Sequence, residues 1–273
     1  YICVPMKIRV RFAPSPTGPL HIGGLRTALF NYLYAKGKKG SFILRIEDTD
    51  QNRYVEGSEN YLISALNWCG IEPDEGPNKG GSFGPYRQSE RKKIYKEHID
   101  KLVKLGAAYY AFDSEDELKK YRQEDEKDGK TFLYSSQNRK KFRNSLTLNL
   151  AETKKALEGE YVVRLKVMGG IKVNVNDDIR GNISVSSDLL DDKILLKSDG
   201  LPTYHFANVV DDKLMEITDV IRGEEWLPSL PIHKLIYDAF NWNLPRFMHL
   251  PLILKPNGKG KLCLLYTSDA ADD

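Results

Sequence analysis

Cysteine is almost missing from this chain. There are three in 273 residues; Cys3 and Cys263 fall in the terminal stretches and Cys69 stands alone, which excludes a disulfide framework and a C-x-x-C zinc pair. Long hydrophobic runs are lacking too, and none approaches the ~20 residues a membrane span needs. Charge of one sign is not in excess: 41 Lys and Arg against 38 Asp and Glu leave +3, which by itself implies no nucleic-acid partner. What is present is 41% hydrophobic and 29% charged residues. That suffices for one large domain plus an insert, with about three quarters of the surface buried on folding. The composition fits a soluble intracellular protein.

Residues Arg11 to Gly24 read R-F-A-P-S-P-T-G-P-L-H-I-G-G. Before and into them, Ile8, Val10 and Phe12 alternate with charged residues, the two-residue period of a half-buried strand. After them, Leu25, Ala28, Leu29, Tyr32 and Leu33 fall at the spacing of one helix face. Pro14, Pro16, Pro19 and the Gly23-Gly24 pair make a tight turn between the two and let a ligand approach the backbone. Gly18 reads as a turn residue. A strand feeding a helix through such a turn leaves free N–H groups and a positive dipole end for a phosphate. His21 stands at its mouth, where imidazole can donate a hydrogen bond to developing negative charge.

The periodicity predicts strands at 8–12 and 42–46, and helices at 25–36, near 58–68 and near 89–105. Residues 70–85 read as a loop. From Ala107 the character changes to short strands, such as 161–166 and 171–175, and charged helices. Around Ser198 the α/β pattern resumes, with a helix near 205–214, a strand at 219–222 and a helix near 231–240. The expected architecture is α/β: a Rossmann-like doubly wound parallel sheet split by an inserted α+β subdomain, with ligand at the carboxyl ends of the strands. Its halves span 6–106 and 197–262, and the insert 107–196.

Three stretches, in order, resemble the class I aminoacyl-tRNA synthetases in their bacterial-type glutamyl form. They are the Arg11–Gly24 run, F-I-L-R-I-E-D-T-D at 42–50, and 198–226 with P-T-Y-H-F-A-N-V-V-D-D and D-V-I-R-G-E-E-W, the last running on into L-P-S. Together they cover most of residues 7–262. The resemblance implies a cytoplasmic glutamate–tRNA ligase acting on glutamate, ATP with Mg²⁺, and tRNA-Glu, without membrane attachment. H-I-G-G matches the family's H-I-G-H box with glycine in the last place, as is common in the glutamyl branch. It implies catalytic, ATP-binding roles for His21, Gly23 and Gly24, with Glu225 and Trp226 on the adenosine side. Some members carry a zinc-binding insert; the ligands are missing here, so no zinc is expected.

The amino acid is a zwitterion with a second carboxylate. Arg11 and Arg222 each close a strand at its carboxyl end, and a guanidinium fork matches carboxylate geometry. Tyr204 can add a hydroxyl donor and Glu47 can accept from the ammonium group; the resemblance adds Ala13, Ser15 and Asn208 to the pocket lining. Asp211-Asp212, following two valines on a helix, reads as a capping or ion-pair feature rather than a metal site. Magnesium would then arrive with ATP, held by water and phosphate.

Between Lys119 and Arg143 lie nine Lys or Arg and four acids, with Tyr121, Phe132, Tyr134 and Phe142 interleaved. Alone, this reads as a solvated helix face with a few buried aromatics. The resemblance places an acceptor-stem-binding subdomain here, so Lys140, Lys141 and Arg143 become candidate phosphate contacts and the aromatics candidate stacking platforms.

At the ends, Met6 is the plausible start. Lys255–Leu262 leads into the second class I signature, but Cys263 and Leu264 stand where serine and the key lysine are expected. Residues 263–273 back-translate to a sequence resembling a transposase mosaic-end adapter, and are read as a non-native tail with the anticodon-binding domain missing. Two alternatives remain: the shorter paralogue that glutamylates a modified base of tRNA-Asp, which usually carries zinc ligands, and a non-catalytic tRNA-binding relative. Glutaminyl-tRNA synthetase is disfavoured because its first motif has Glu where Ser15 stands.

Overall fold

The computed structural model describes residues 7–254. The expectations on Met6, on the lead-in from Lys255 and on the tail after Leu262 lie outside the described residues. In chain order, the first part holds β1 (Arg9–Phe12), α1 (Ile22–Gly37), β2 (Ser41–Leu44), α2 (Ser58–Trp68) and α3 (Lys92–Lys104). The middle holds β3 (Ala108–Ala111), α4 (Glu115–Lys127), α5 (Leu150–Ala156), β4 (Val162–Leu165), β5 (Lys172–Asp177), β6 (Gly181–Ser186) and β7 (Ile194–Leu196). The last part holds α6 (Tyr204–Leu214), β8 (Asp219–Gly223), α7 (Leu230–Ala239) and β9 (Arg246–Leu250).

The α/β core is parallel. β1 pairs with β2 across the α1 crossover, and β8 pairs with β9 across α7. The two pairs meet where the Thr218 N–H donates to the Arg9 carbonyl at 2.9 Å and the Arg9 N–H to Oγ1 of Thr218 at 2.9 Å. Every strand from β1 to β2 and β8 to β9 therefore sends its carboxyl end toward one crevice, the place for a ligand in an open parallel sheet.

The edge is mixed. β5 adds to β9 in parallel through Asp177 opposite Phe247, and β6 folds back on β5 as an antiparallel hairpin. Those hairpin residues, expected within the insert, join the sheet of β9 and β8. β3, β4 and β7 form a separate antiparallel sheet. One apolar cluster runs across residues 107 and 196, joining Val163, Val173 and Leu195 to Phe206, Val220 and Phe247.

The stripe expected on α1 is rotated in the structure. Its buried residues are Ala28, Asn31 and Ala35, while Leu29 and Leu33 are 40% and 57% exposed. Small residues let the helix sit close to β1 and β8, and Asn31 donates from Nδ2 to the Ile221 carbonyl at 3.0 Å. A buried strand carbonyl is satisfied by a side chain that a hydrophobic count passes over.

Candidate active site

The phosphate end is built as the turn chemistry demands. His21 is the N-cap of α1, in extended backbone, and its Nδ1 accepts from the Gly24 N–H at 3.1 Å. With Nδ1 accepting, a neutral ring carries its proton on Nε2, which is exposed and free to donate. The Gly24 N–H is thereby taken by the ring, a correction to its expected availability, while no protein acceptor takes the Gly23 N–H among the described residues. Glycine at 23 has a steric reason: a Cβ there would lie 3.0 Å from Cε1 of His21 and push the cap aside.

At the strand ends lies a buried network of charges. Arg11 donates from Nε and Nη2 to the two oxygens of Asp212 at 2.9 and 3.1 Å. Arg45 donates to the same Asp212 at 2.7 Å and to Oε1 of Glu47 at 2.9 Å. Asn208 donates to that Oε1 at 3.0 Å, which leaves Oε2 without a partner among the described residues. Burial raises the Glu47 carboxyl and Arg45 pulls it only part of the way back. Burial would raise Asp212 too, but Arg11 and Arg45 together hold it below the usual carboxylate range. Asp211 is taken by Arg91, Gln88 and Tyr95 at 2.7–2.8 Å, so both aspartates are occupied by protein donors, as an ion-pair reading requires.

Arg222 differs from its neighbours. It donates from Nε to Nε2 of His249 at 2.9 Å, from Nη1 to the Tyr204 hydroxyl at 2.8 Å and from Nη2 to the Trp226 carbonyl at 3.3 Å. Nδ1 of His233 lies 3.4 Å from Nη1. Burial and the Arg222 charge hold both histidines down, His249 to about 4, so every one of these partners is neutral at pH 7. Of seven buried arginines among the described residues, Arg9, Arg11, Arg45, Arg91 and Arg139 meet carboxylates. Arg164 lies over the Tyr134 ring at 4.0 Å, and Arg222 faces only neutral groups. The Tyr204 oxygen accepts from Arg222, so its own proton is available to a ligand; burial pushes that phenol up to about 12.

The remaining candidates frame this centre. Ala13 is half-buried and Ser15 exposed on the loop leaving β1, whose Pro14 carbonyl accepts from the Glu47 N–H at 2.9 Å. Trp226 is 41% exposed with its ring 4.5 Å from that of Tyr204, and Glu225 beside it is exposed. Lys140, Lys141 and Arg143 lie apart, exposed on the middle part of the chain.

Two of the interleaved aromatics are closed off as platforms. Tyr134 and Phe142 are buried with their rings 4.3 Å apart, and Tyr121 meets Phe142 edge-on at 5.0 Å. Tyr134 and Phe142 form a small core with Tyr109 and Leu118. Apolar burial outweighs exposure of such rings, and the expectation of stacking on an unpaired base is corrected for Tyr134 and Phe142.

The sequence reading missed three residues that hold the centre, Arg45, His249 and Asp177, and took Asp212 as an ion-pair feature without placing it at the site. Asp212 was findable, since Tyr204, Asn208 and Asp212 recur every four residues and share a helix face. His249 and Asp177 gave no local signal, because their strands meet only through the fold.

A family model described as "tRNA synthetases class I (E and Q), catalytic domain" matches residues 7–262. Glutamate–tRNA ligases of Christiangramia forsetii and Flavobacterium johnsoniae are 63% and 57% identical over 258 residues, 94% of this chain and 51% and 52% of theirs. A crystal structure of a glutamate tRNA ligase from Elizabethkingia meningosepticum, in complex with its amino acid, superposes with a TM-score of 0.94 at 55% identity, covering 96% of this chain and 53% of that one. The chain thus spans about half the length of the curated relatives it matches. It belongs to the family of class I tRNA synthetases of the E and Q type, within their catalytic domain.

Proposed function

We propose that the site joins glutamate to ATP, forming glutamyl-adenylate and releasing pyrophosphate, and then passes the glutamyl group to the terminal adenosine of tRNA-Glu with release of AMP. The observation that carries this is Arg222: a buried cation whose protein partners are all neutral is a charge left for a ligand carboxylate. Arg222 and the Tyr204 hydroxyl bind the side-chain carboxylate. Oε2 of Glu47, without a protein partner, accepts from the ammonium group, with Asn208 and Arg45 fixing the other oxygen. Arg11, held flat by Asp212, orients the same pocket, and Ala13 and Ser15 line its mouth.

The His21 Nε2–H and the Gly23 N–H face the ATP phosphates, with Gly24 holding the His21 ring in place, while Glu225 and Trp226 flank the adenosine. Mg²⁺ enters with ATP, held by water and phosphate; Asp211 and Asp212 are already engaged by arginines. Residues 107–196 carry the acceptor end of the tRNA, on Lys140, Lys141 and Arg143. The setting is the cytoplasm; no helix among the described residues is long and apolar enough to cross a membrane.

The test is glutamate-dependent ATP–pyrophosphate exchange with tRNA present, in the full-length protein. Arg222→Ala is expected to raise the glutamate KM far more than the ATP KM. Equal losses for both substrates would remove Arg222 from the amino-acid pocket.

A further inference from the structure

We propose that His249 and Asp177 are positioning residues for Arg222: together they aim its guanidinium at the ligand while leaving its charge unspent. This rests on Arg222 being the carboxylate-binding arginine of the proposed reaction. His249 on β9 and Asp177 at the end of β5 are 0% and 1% exposed. Oδ2 of Asp177 lies 2.6 Å from Nδ1 of His249 and accepts the His249 backbone N–H at 3.1 Å. Its Oδ1 accepts the N–H groups of Ile179 and Arg180 at 3.0 and 2.8 Å. The carboxylate is therefore fixed by the turn that joins β5 to β6.

A carboxylate in that place accepts, so the His249 proton sits on Nδ1 and Nε2 is left as an acceptor. That acceptor takes the Arg222 Nε–H. The opposite tautomer would set two N–H groups head-on, and a protonated ring would add a second cation beside a buried one. With Nε anchored, the plane of the guanidinium is set, with Nη1 directed at the Tyr204 hydroxyl and Nη2 at the Trp226 carbonyl. Histidine serves here where a carboxylate would not: an acidic acceptor would neutralise Arg222 and compete with the ligand. Asp177 belongs to the hairpin inside residues 107–196, so the amino-acid pocket depends on a segment far from its motifs in sequence.

The experiment measures dissociation constants of this chain for glutamate and for ATP, by equilibrium dialysis, in His249→Leu, His249→Gln and Arg222→Ala. His249→Leu, which removes the acceptor, is expected to weaken glutamate at least tenfold and leave ATP within twofold. Oε1 of the His249→Gln variant stands near the place of Nε2 and is expected to restore most of the glutamate affinity. Equal loss in both His249 variants, or no loss in His249→Leu while Arg222→Ala abolishes binding, overturns the positioning role alone. Unchanged glutamate binding in Arg222→Ala overturns the assignment of Arg222 as well. Independently of any variant's folding, ¹⁵N histidine spectra of the unsubstituted chain are expected to show His249 neutral with its proton on Nδ1. An Nε2-protonated or cationic ring overturns the proposal.

Discussion

Arg11 reaches Asp212 through two parallel hydrogen bonds, 2.9 and 3.1 Å long, with both side chains only 3% exposed. Eleven residues into the chain, a guanidinium that reads as a ligand contact is already matched to a carboxylate of its own protein. Arg222 has no such match, and its donors run to His249, Tyr204 and Trp226. The two arginines share a crevice but meet partners of different charge.

Their contributions to stability should therefore separate. Arg11→Met leaves Asp212 with one cation instead of two, and breaking a buried pair costs about 3 kcal/mol or more. Arg222→Met removes a buried charge without a counter-charge and forfeits only bonds to neutral partners, roughly 1 kcal/mol. Urea denaturation of the two variants is the measurement. Equal losses would show that Arg222 is as structural as Arg11.

Acid should act through Asp212. Burial alone would raise its carboxyl, but Arg11 and Arg45 more than offset that, so its folded value lies below the unfolded one. A depressed carboxylate contributes stability that is complete above the unfolded value of about 3.9 and is lost as pH falls through the folded value. Asp212→Asn is expected to be less stable at neutral pH and to lose less on acidification below about pH 4. An acid limb as steep as that of the unsubstituted chain would place the sensitivity elsewhere.

In the first part of the chain the Arg11–Gly24 turn was legible, while Arg45 was not. Strand, turn and helix at Arg11–Gly24 are local, and a short-range pattern of Pro, Gly and alternating apolar residues specifies them. The pairing of the β5–β6 hairpin with β9 was not legible, because it is a contact between segments some 70 residues apart, registered by one opposed pair, Asp177 and Phe247. The α1 stripe was misjudged for a different reason: close packing there selects Ala28, Asn31 and Ala35 over the larger Leu29 and Leu33. Local periodicity reports which residues are apolar, and helix-to-sheet distance decides which of them face inward.

The exposed cations of the middle part are expected to act on RNA by charge alone. Replacing Lys140, Lys141 and Arg143 with glutamine should weaken tRNA binding and flatten its salt dependence by roughly 0.7–0.9 in log–log slope per lost phosphate contact. Filter binding across a salt series reads this directly, with ATP affinity as the control. An unchanged slope returns these residues to an ordinary solvated face.

Phe142, by contrast, should matter through folding. Phe142→Ala opens a cavity beneath Tyr134 and is expected to cost about 3–5 kcal/mol. Tyr121, 36% exposed, is the ring of this group that Tyr121→Ala can remove at smaller cost. Thermal unfolding of both variants separates the two, and comparable losses would mean that Tyr121 is equally part of that core.

The uncompensated charge of Arg222 is tested most directly by comparing glutamate with glutamine, which differ at one end by a charge and little in shape. Dissociation constants of both amino acids should be measured for this chain and for Arg222→Met. A charge-assisted pair worth ~1.5–3 kcal/mol gives a glutamate preference of about tenfold or more in the unsubstituted chain. That preference should fall to near parity in Arg222→Met, chiefly through loss of glutamate affinity. A preference for glutamate that survives Arg222→Met would contradict the assignment and move the recognition of the side-chain carboxylate to another cation.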